Sequence, residues 1–187
     1  MKNRIAKRIF PLFIILCLVG NETYAQKIQW FSFEQALDMN ARRMEQKLAP
    51  KKIFVDVYTD WCGWCKKLDA TTFSNSEIIK YMSENYIAVK LNAERTDTVV
   101  INGQMFVNSS AAEGKRGSHD LAAILLKNKM SYPSCTFIDE TGAQLEVIPG
   151  YRGAKEFEIL LHFFGENAYK TTPWEEYKSK FVGKIKE

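Results

Sequence analysis

The chain has 187 residues, of which 46% are hydrophobic and 26% are charged, and its formal net charge is +4. This length favours one domain, and the composition is that of a globular protein with its own core, which excludes a disordered chain. The basic excess lies at the N-terminus: residues 1–25 carry four basic residues and one acidic residue, and the remainder has a formal charge of +1. The charge therefore predicts neither a nucleic-acid partner nor an anionic membrane partner.

The first 25 residues have the pattern of a secretory signal peptide. A basic stretch precedes an apolar run at residues 9–20, and the residues after it predict cleavage after Ala25. The run is shorter than the ~20 residues that a membrane-spanning helix needs. A lipid anchor at Cys17 is an alternative, although the residue before it is not the small one that such processing requires. We expect a periplasmic or secreted protein with one domain at residues 26–187.

Helices and strands alternate in the first half of this domain. Ser32 and Gln35 form a capping box that predicts a helix over residues 33–47. Apolar segments predict strands at residues 53–58 and 87–91, and helical potential covers residues 61–68 and 76–85. Alternation with short links is typical of an α/β unit with parallel strands.

The second half is predicted to contain two hairpins. Asn102-Gly103 between β-forming segments predicts a hairpin of residues 99–101 and 104–107. Ser118 is the predicted cap of a helix at about residues 119–129. The remaining predicted elements are an antiparallel pair at residues 134–139 and 144–148, a helix at residues 155–164, and a terminal helix that Thr172 and Pro173 open and that ends at about residue 181.

Cys62 and Cys65 carry the clearest chemical signal in the sequence. Without Cys17 the mature chain keeps three cysteines, an odd number that argues against a disulfide scaffold. The pair follows a predicted strand and begins a helix, where unpaired N–H groups and the helix dipole favour a thiolate. Because the thiolate is the attacking species in thiol–disulfide exchange, this placement favours a redox site.

Zinc, haem and a structural disulfide are the alternative interpretations of the pair. Zinc usually takes four ligands, and only Cys135, His119 and His162 are available besides the pair. Covalent haem needs a histidine after the second cysteine, where the chain has lysine. A bridge across two residues closes too small a loop to stabilise much. We expect no metal, no cofactor and no catalytic histidine; Cys135 is expected in the core, with a third redox thiol as the alternative.

The segment at residues 55–66 resembles the active-site segment of thioredoxins. Asp56, the Trp61-Cys62-Gly63-Trp64-Cys65 motif and Pro133 fall in register with that family, with Trp64 where the typical member has proline. The stretch through residue 73 is closer to the periplasmic thioredoxin-like domain of the DsbD reductase and to secreted thioredoxin-related proteins. The resemblance covers roughly residues 51–164, excluding much of 93–131. It implies an α/β thioredoxin-like fold, with a central mixed β-sheet flanked by helices on both faces.

The resemblance also implies roles for individual residues. Cys62 would be the exposed nucleophile and Cys65 the buried resolving thiol, with Asp56 assisting proton transfer at Cys65. Pro133 would be a cis-proline packed against the pair. The other assigned positions are Trp61, Gly63, Trp64 and Tyr132 in the substrate-binding surface, and Lys90 as a supporting neighbour of Asp56.

Four of these assignments have structural alternatives. A carboxylate inside an apolar strand is costly without a partner or a task, so Asp56 is a candidate on chemistry alone, with a solvent-facing position as the alternative. For Lys90 a plain surface lysine is favoured over a role in supporting Asp56. Packing onto the domain is favoured for Trp61, and docking of a polypeptide is favoured for Trp64.

The predicted function is that of a monomeric thiol–disulfide oxidoreductase, a protein disulfide reductase acting on protein thiols and disulfides. A reductase in an oxidising compartment needs an electron donor, and the resemblance implies a membrane donor of the DsbD type. The alternatives are an oxidant or isomerase of the same fold and a non-catalytic binding module. Residues 93–131 exceed what a minimal thioredoxin needs. This insert either shapes a partner-binding edge near the active site or is family-specific decoration.

Overall fold

The computed structural model describes residues 27–186. The predicted signal peptide at residues 1–25, with Cys17, lies outside the described residues. Within residues 27–186, no helix is both long enough and apolar enough to cross a membrane.

Seven strands and seven α-helices make up the described part of the chain. The strands are β1 (Trp30–Phe31), β2 (Lys52–Tyr58), β3 (Tyr86–Asn92), β4 (Val99–Ile101), β5 (Gln104–Phe106), β6 (Ser134–Ile138) and β7 (Gln144–Pro149). The α-helices are α1 (Phe33–Glu45), α2 (Gly63–Thr71), α3 (Ser76–Asn85), α4 (Ser109–Ala112), α5 (Asp120–Leu125), α6 (Ala154–Gly165) and α7 (Trp174–Lys180), and a 3-10 helix spans Ala168–Lys170. Strands β2, β3 and β6 end within one residue of their predicted bounds.

The central sheet has five strands in the order β1-β3-β2-β6-β7. Strand β3 runs parallel to β1 and β2, whereas β6 is antiparallel to β2 and β7. The register places Asp56 of β2 beside Lys90 of β3 and opposite Cys135 of β6. The sheet is therefore mixed, and it brings together three side chains that are far apart in the sequence.

Helices cover both faces of this sheet. Because successive strand side chains point to opposite faces, β2 gives Phe54 to one core and Val55 and Val57 to the other. The first core is completed by α2, α3 and α6, and the second by α1, α5 and the β4–β5 hairpin. The predicted fold class, an α/β domain with a mixed sheet between helices, is confirmed.

Residues 93–131 fold between β3 and β6. The hairpin β4–β5 forms as predicted, and Asn102 and Gly103 at its turn both have positive φ, which suits an Asn-Gly pair. The short helix α4 was not predicted, because four residues are too few to show a helical period. The predicted cap at Ser118 is wrong, since His119 is the N-cap of α5 and the helix ends at Leu125.

His119 is a structural residue of this insert. Its Nδ1 accepts the Leu121 N–H at 3.2 Å, and its Nε2 lies 3.0 Å from the Asp97 carbonyl oxygen. With Nδ1 accepting, Nε2 carries the proton and donates. The buried ring thus ties α5 to the segment that follows β3.

The C-terminal segment packs against α6. Pro173 occupies the N-cap position of α7, so the predicted cap at Thr172 is wrong by one residue. Further along, the buried Glu158 carboxylate accepts the backbone N–H groups of Lys184 and Ile185, at 2.8 and 3.1 Å. These two hydrogen bonds hold the tail of the chain on the domain.

Candidate active site

Cys62 and Cys65 lie at the junction between the end of β2 and the start of α2. Cys62 is the N-cap of α2, and its Sγ accepts the Cys65 N–H at 3.0 Å. The two sulfurs are joined in a disulfide, with 5.3 Å between the Cα atoms. Once the bond is reduced, this same N–H and the helix dipole favour a thiolate on Cys62. The predicted juxtaposition of strand end, cysteine pair and helix start is what the structure contains.

The expected exposure of Cys62 differs from what is observed. Both cysteines are 4% exposed in the disulfide form, so burial does not distinguish the nucleophile from the resolving thiol. The asymmetry lies in the helix, because Cys62 is the capping residue and Cys65 lies in its first turn. Only Cys62 therefore faces the unpaired N–H groups of the helix start.

Asp56 is buried in the middle of β2. Its side chain is on the Phe54 face of the strand, because residues two apart point the same way. Lys90 Nζ lies 3.3 Å from Oδ2, while Oδ1 has no hydrogen-bond partner among the described residues. Burial raises the pKa of the Asp56 carboxyl to about 6, and the Lys90 ammonium opposes that rise. The solvent-facing alternative is wrong, and the carboxyl can exchange a proton near neutral pH.

Lys90 connects three elements of the fold. Besides Asp56 on β2, its ammonium pairs with Asp69 on α2. The same ammonium lies 4.8 Å from the centre of the Trp30 ring and 5.3 Å from that of Tyr58. The interpretation as a plain surface lysine is therefore wrong. Since Asp69 follows Cys65 by four residues, this bridge reaches the face of α2 that carries Cys65.

Pro133 and Tyr132 lie at the start of β6. The Tyr132–Pro133 peptide bond is cis. The Pro133 carbonyl oxygen accepts the Gly150 N–H at 2.7 Å, which links the beginning of β6 to the end of β7. Tyr132 is half-buried and packs edge-to-face on Trp61, with 5.9 Å between the ring centres. Tyr132 therefore borders the cysteine pair through its contact with the residue before Cys62.

Two tryptophans lie on either side of Cys62 in the sequence, and each is 56% exposed. Trp61 donates its Nε1–H to Glu94 at 3.0 Å and carries the Arg116 guanidinium 4.7 Å above its ring. Trp64 lies 5.5 Å from Tyr151, centre to centre, and has Lys67 Nζ 4.7 Å above its ring. Both tryptophans thus combine packing with an exposed apolar face. Gly63 between them is exposed and has open space around it.

Several of these neighbours have no signal in the sequence. Glu94, Arg116, Asp69 and Tyr151 look like ordinary surface residues there. Only the position of Glu94, two residues after β3 and therefore near the end of the strand beside β2, could have placed it near Cys62. Arg116 comes from the insert, whose path over the domain no local pattern reveals.

Cys135 lies on β6, and its free thiol is buried in the core that contains Phe54. Burial raises the pKa of its thiol well above the ordinary range, and the Asp56 carboxylate opposite adds to that rise. A protonated, enclosed thiol is a poor nucleophile. The predicted core position is confirmed.

Alkylation tests whether Cys135 is chemically silent. Iodoacetamide added to the native, oxidised protein is expected to leave Cys135 unmodified, because thiolate and access are both missing. After unfolding in guanidinium chloride the same reagent should modify it completely, as measured by mass spectrometry of the Cys135 peptide. Rapid modification of Cys135 in the native protein would instead support the alternative that Cys135 is a third redox thiol.

Residues 27–186 contain no cluster of side chains that could bind a metal ion. No group of three or more His, Cys, Asp and Glu side chains lies close enough there to hold an ion. His119 is occupied by backbone contacts, and His162 Nδ1 lies 2.6 Å from Glu166 Oε1.

A strand-terminal cysteine pair that caps a helix, on a mixed sheet covered on both faces, is an arrangement that favours thiol–disulfide exchange. The profile of the thioredoxin-like domain family matches residues 39–165, and the chain belongs to this family. Its relatives include the thiol:disulfide interchange protein DsbD of Yersinia enterocolitica, at 24% identity, and that of Actinobacillus pleuropneumoniae, at 26%. Each match covers 74% of this chain but only 21% of the relative, so the chain spans about a fifth of their length.

A solved structure supports the same fold. The DsbH oxidoreductase superposes with a TM-score of 0.51 over 91% of this chain and 96% of its own, at 17% sequence identity. At this identity the match concerns the fold alone. The thioredoxin-like architecture thus rests on the family profile and on the superposition.

Proposed function

We propose that the protein is an exported protein disulfide reductase. The observation that carries this proposal is the Cys62–Cys65 disulfide at the N-terminus of α2. The buried Asp56 carboxyl, which Lys90 links to α2 through Asp69, can take up a proton near neutral pH. The kinship to the DsbD proteins, whose name denotes thiol:disulfide interchange, supports protein thiols and disulfides as its reactants.

The reaction runs through one mixed disulfide. The Cys62 thiolate attacks a substrate disulfide, forms a bond to one substrate sulfur and releases the other as a thiolate. The Cys65 thiolate then attacks the Cys62 sulfur, which releases the second substrate sulfur as a thiolate and leaves the Cys62–Cys65 disulfide. Both substrate thiolates take up protons from water. Two electrons pass from the protein to the substrate. Asp56 would accept the Cys65 proton in the second step, the role that its burial and raised pKa suit.

The charges under α2 favour the reducing direction. Within residues 27–186, Asp56 and Asp69 form ion pairs with the same cation, Lys90, and with no other, so one negative charge is left uncompensated beside the helix face that carries Cys65. This charge disfavours a thiolate on Cys65, whereas the helix start favours one on Cys62. Where the negative charge outweighs the helix start, the free energy of the reduced pair rises relative to that of the disulfide. A dithiol with a destabilised reduced form is a reductant, the converse of the strong oxidant whose reduced form is stabilised.

The proposed compartment and partners follow from this direction. The N-terminal pattern supports export to a periplasm, which is kept oxidising, so the spent disulfide needs a donor of the DsbD type to be reduced again. Fractionation of expressing cells, with the mass of the mature N-terminus, tests the export and the cleavage after Ala25. We propose a monomer, which sedimentation of the purified protein tests.

The reduction potential decides between a reductant and an oxidant. We expect a value of about −250 mV or lower for the Cys62–Cys65 pair, in the range of thioredoxin, because the local negative charge disfavours the thiolate. The measurement is the fluorescence of Trp61 and Trp64 in thiol buffers of graded potential. A value near about −120 mV would instead indicate a disulfide donor. Absence of a redox transition would favour the non-catalytic binding module.

A further inference from the structure

Trp61 is held in place mainly by residues of the insert. Its indole N–H is bonded to Glu94, its face is covered by the Arg116 guanidinium, and its edge meets Tyr132. Arg116 and Glu94 also pair with each other, with 2.9 Å between Nε and Oε1. The ring beside the nucleophile is therefore fixed from two directions by residues 93–131.

The insert also contacts Tyr132, the second aromatic ring beside Cys62. Tyr132 lies just before Pro133, and its hydroxyl is 3.3 Å from Ser118 Oγ. Ser118 follows Arg116 by two residues. One short loop of the insert thus contacts both aromatic rings on this side of Cys62.

The contacts of Trp61 fix the orientation of a large side chain that remains exposed to solvent. Trp61 keeps 56% of its surface in water despite these contacts, so they do not bury it in a core. An indole held rigidly with an open apolar face offers contact area to a partner at low conformational-entropy cost. A small disulfide that reaches only the sulfur does not use that area, whereas a polypeptide lying across Cys62 does.

We propose that Arg116 is a specificity-determining residue, which holds Trp61 as a docking wall for polypeptide disulfides. This inference rests on the proposed disulfide-exchange function. It assigns the insert to the partner-binding edge, and it makes Arg116 a positioning residue because Arg116 acts through Trp61. The occupant of the surface is an extended polypeptide segment that carries the attacked disulfide.

Single-turnover kinetics on two disulfides test the assignment. The reduced protein is mixed with an excess of insulin, a polypeptide disulfide, or of hydroxyethyl disulfide, a small one. After acid quenching and alkylation, the mass of the protein itself gives the number of its thiols that remain reduced. Arg116→Ala is expected to raise the half-saturating insulin concentration about three- to tenfold, with the maximal rate within about twofold, as for loss of binding that is uniform through the reaction. The rise for hydroxyethyl disulfide should be much smaller.

Two further variants separate positioning from simple damage. Lys115→Ala removes a neighbouring exposed cation that pairs with Glu113, and it should not change the insulin kinetics. Arg116→Lys keeps a cation near the indole and should restore part of the insulin affinity. The fluorescence of Trp61 should shift to the red in Arg116→Ala, with Trp61→Phe identifying its share of the emission.

The outcomes distinguish this inference from the function on which it rests. If Arg116→Ala and Lys115→Ala have the same half-saturating insulin concentration, Arg116 sets no specificity, and disulfide exchange by Cys62 stands. Equal losses on both disulfides together with a lower melting temperature would mean a merely structural residue and would also overturn the inference. If the unaltered protein reduces neither disulfide, the proposed function fails, and this inference fails with it.

Discussion

Replacing Cys62 with serine is expected to abolish disulfide exchange, with a loss of at least about a thousandfold in rate, because removing a catalytic nucleophile has effects of that size or larger. A hydroxyl cannot form the mixed disulfide, and Cys65 has no alternative route to the substrate in the reaction proposed above. The measurement is the single-turnover oxidation of the reduced protein by insulin, with the remaining thiols of the protein itself counted by alkylation and mass spectrometry. Circular dichroism and thermal unfolding should match those of the reduced, unaltered protein.

The matched control for this variant is Cys135→Ala. It also removes one thiol, but a thiol that is buried and opposite Asp56 rather than at the helix start. We expect it to retain most of the exchange rate and to lose some stability, because a small cavity replaces the sulfur. If Cys62→Ser keeps the activity while Cys135→Ala loses it, the assignment of the nucleophile is wrong. If the Cys62→Ser and Cys135→Ala variants both retain the function of the protein in cells, a non-catalytic binding module is the better description.

The central part of the fold could be predicted because its signals are local. Strand β2 is a run of β-branched and aromatic residues, α1 begins with a capping box, and Asn102-Gly103 specifies a tight turn. Each of these patterns is set within a few residues. The same holds for the cysteine pair, since its place at a strand end and a helix start follows from its own neighbours.

The parts that escaped prediction depend on contacts between distant segments. Strand β1 has two residues and exists only because β3 lies beside it. His119 displaces Ser118 as a cap because the Asp97 carbonyl holds its ring from the other side. The environment of Trp61 needs the path of the insert, which only the folded chain defines. The candidate site was therefore predictable at the cysteines, Asp56 and the aromatic residues beside Cys62, and unpredictable at Glu94 and Arg116, which contact Trp61.

Asp56→Asn is expected to stabilise the protein above pH 7 by roughly 2–3 kcal/mol, since a pKa change of one corresponds to about 1.4 kcal/mol. Burial raises the pKa of this carboxyl from 3.8 to about 6. As the pH rises from about 4 to above 6, the unfolded chain loses the proton first, so the contribution of Asp56 to stability falls over that window. Asparagine has nearly the same shape and no charge to bury. The advantage of the variant should thus be small at pH 4 and complete at pH 8.

Urea unfolding of the oxidised protein at several pH values measures this difference. Other carboxylates act in the opposite sense, for example Asp97, whose pKa is lowered to about 2 mainly by its hydrogen bond to Arg95. Taking the variant minus the unaltered protein at each pH cancels those contributions. A variant that is less stable at pH 8 would show that the pair with Lys90 outweighs the burial of the charge.

The neighbouring carboxylate of Asp69 provides the control for the role of Lys90. Asp69 pairs with the same ammonium but is largely exposed, so Asp69→Asn is expected to change stability by no more than about 1 kcal/mol at any pH, as exposed ion pairs do.

Lys90→Met should destabilise the protein at pH 8 when Asp56 is present, and much less when it is combined with Asp56→Asn, because the lysine then has no buried charge to compensate. Equal effects in both backgrounds would mean that Lys90 stabilises the fold through its aromatic neighbours rather than through the carboxyl. In that case Lys90 would not offset the negative charge of Asp56. The charge proposed to favour a reducing potential would then act on the cysteine pair without opposition from Lys90.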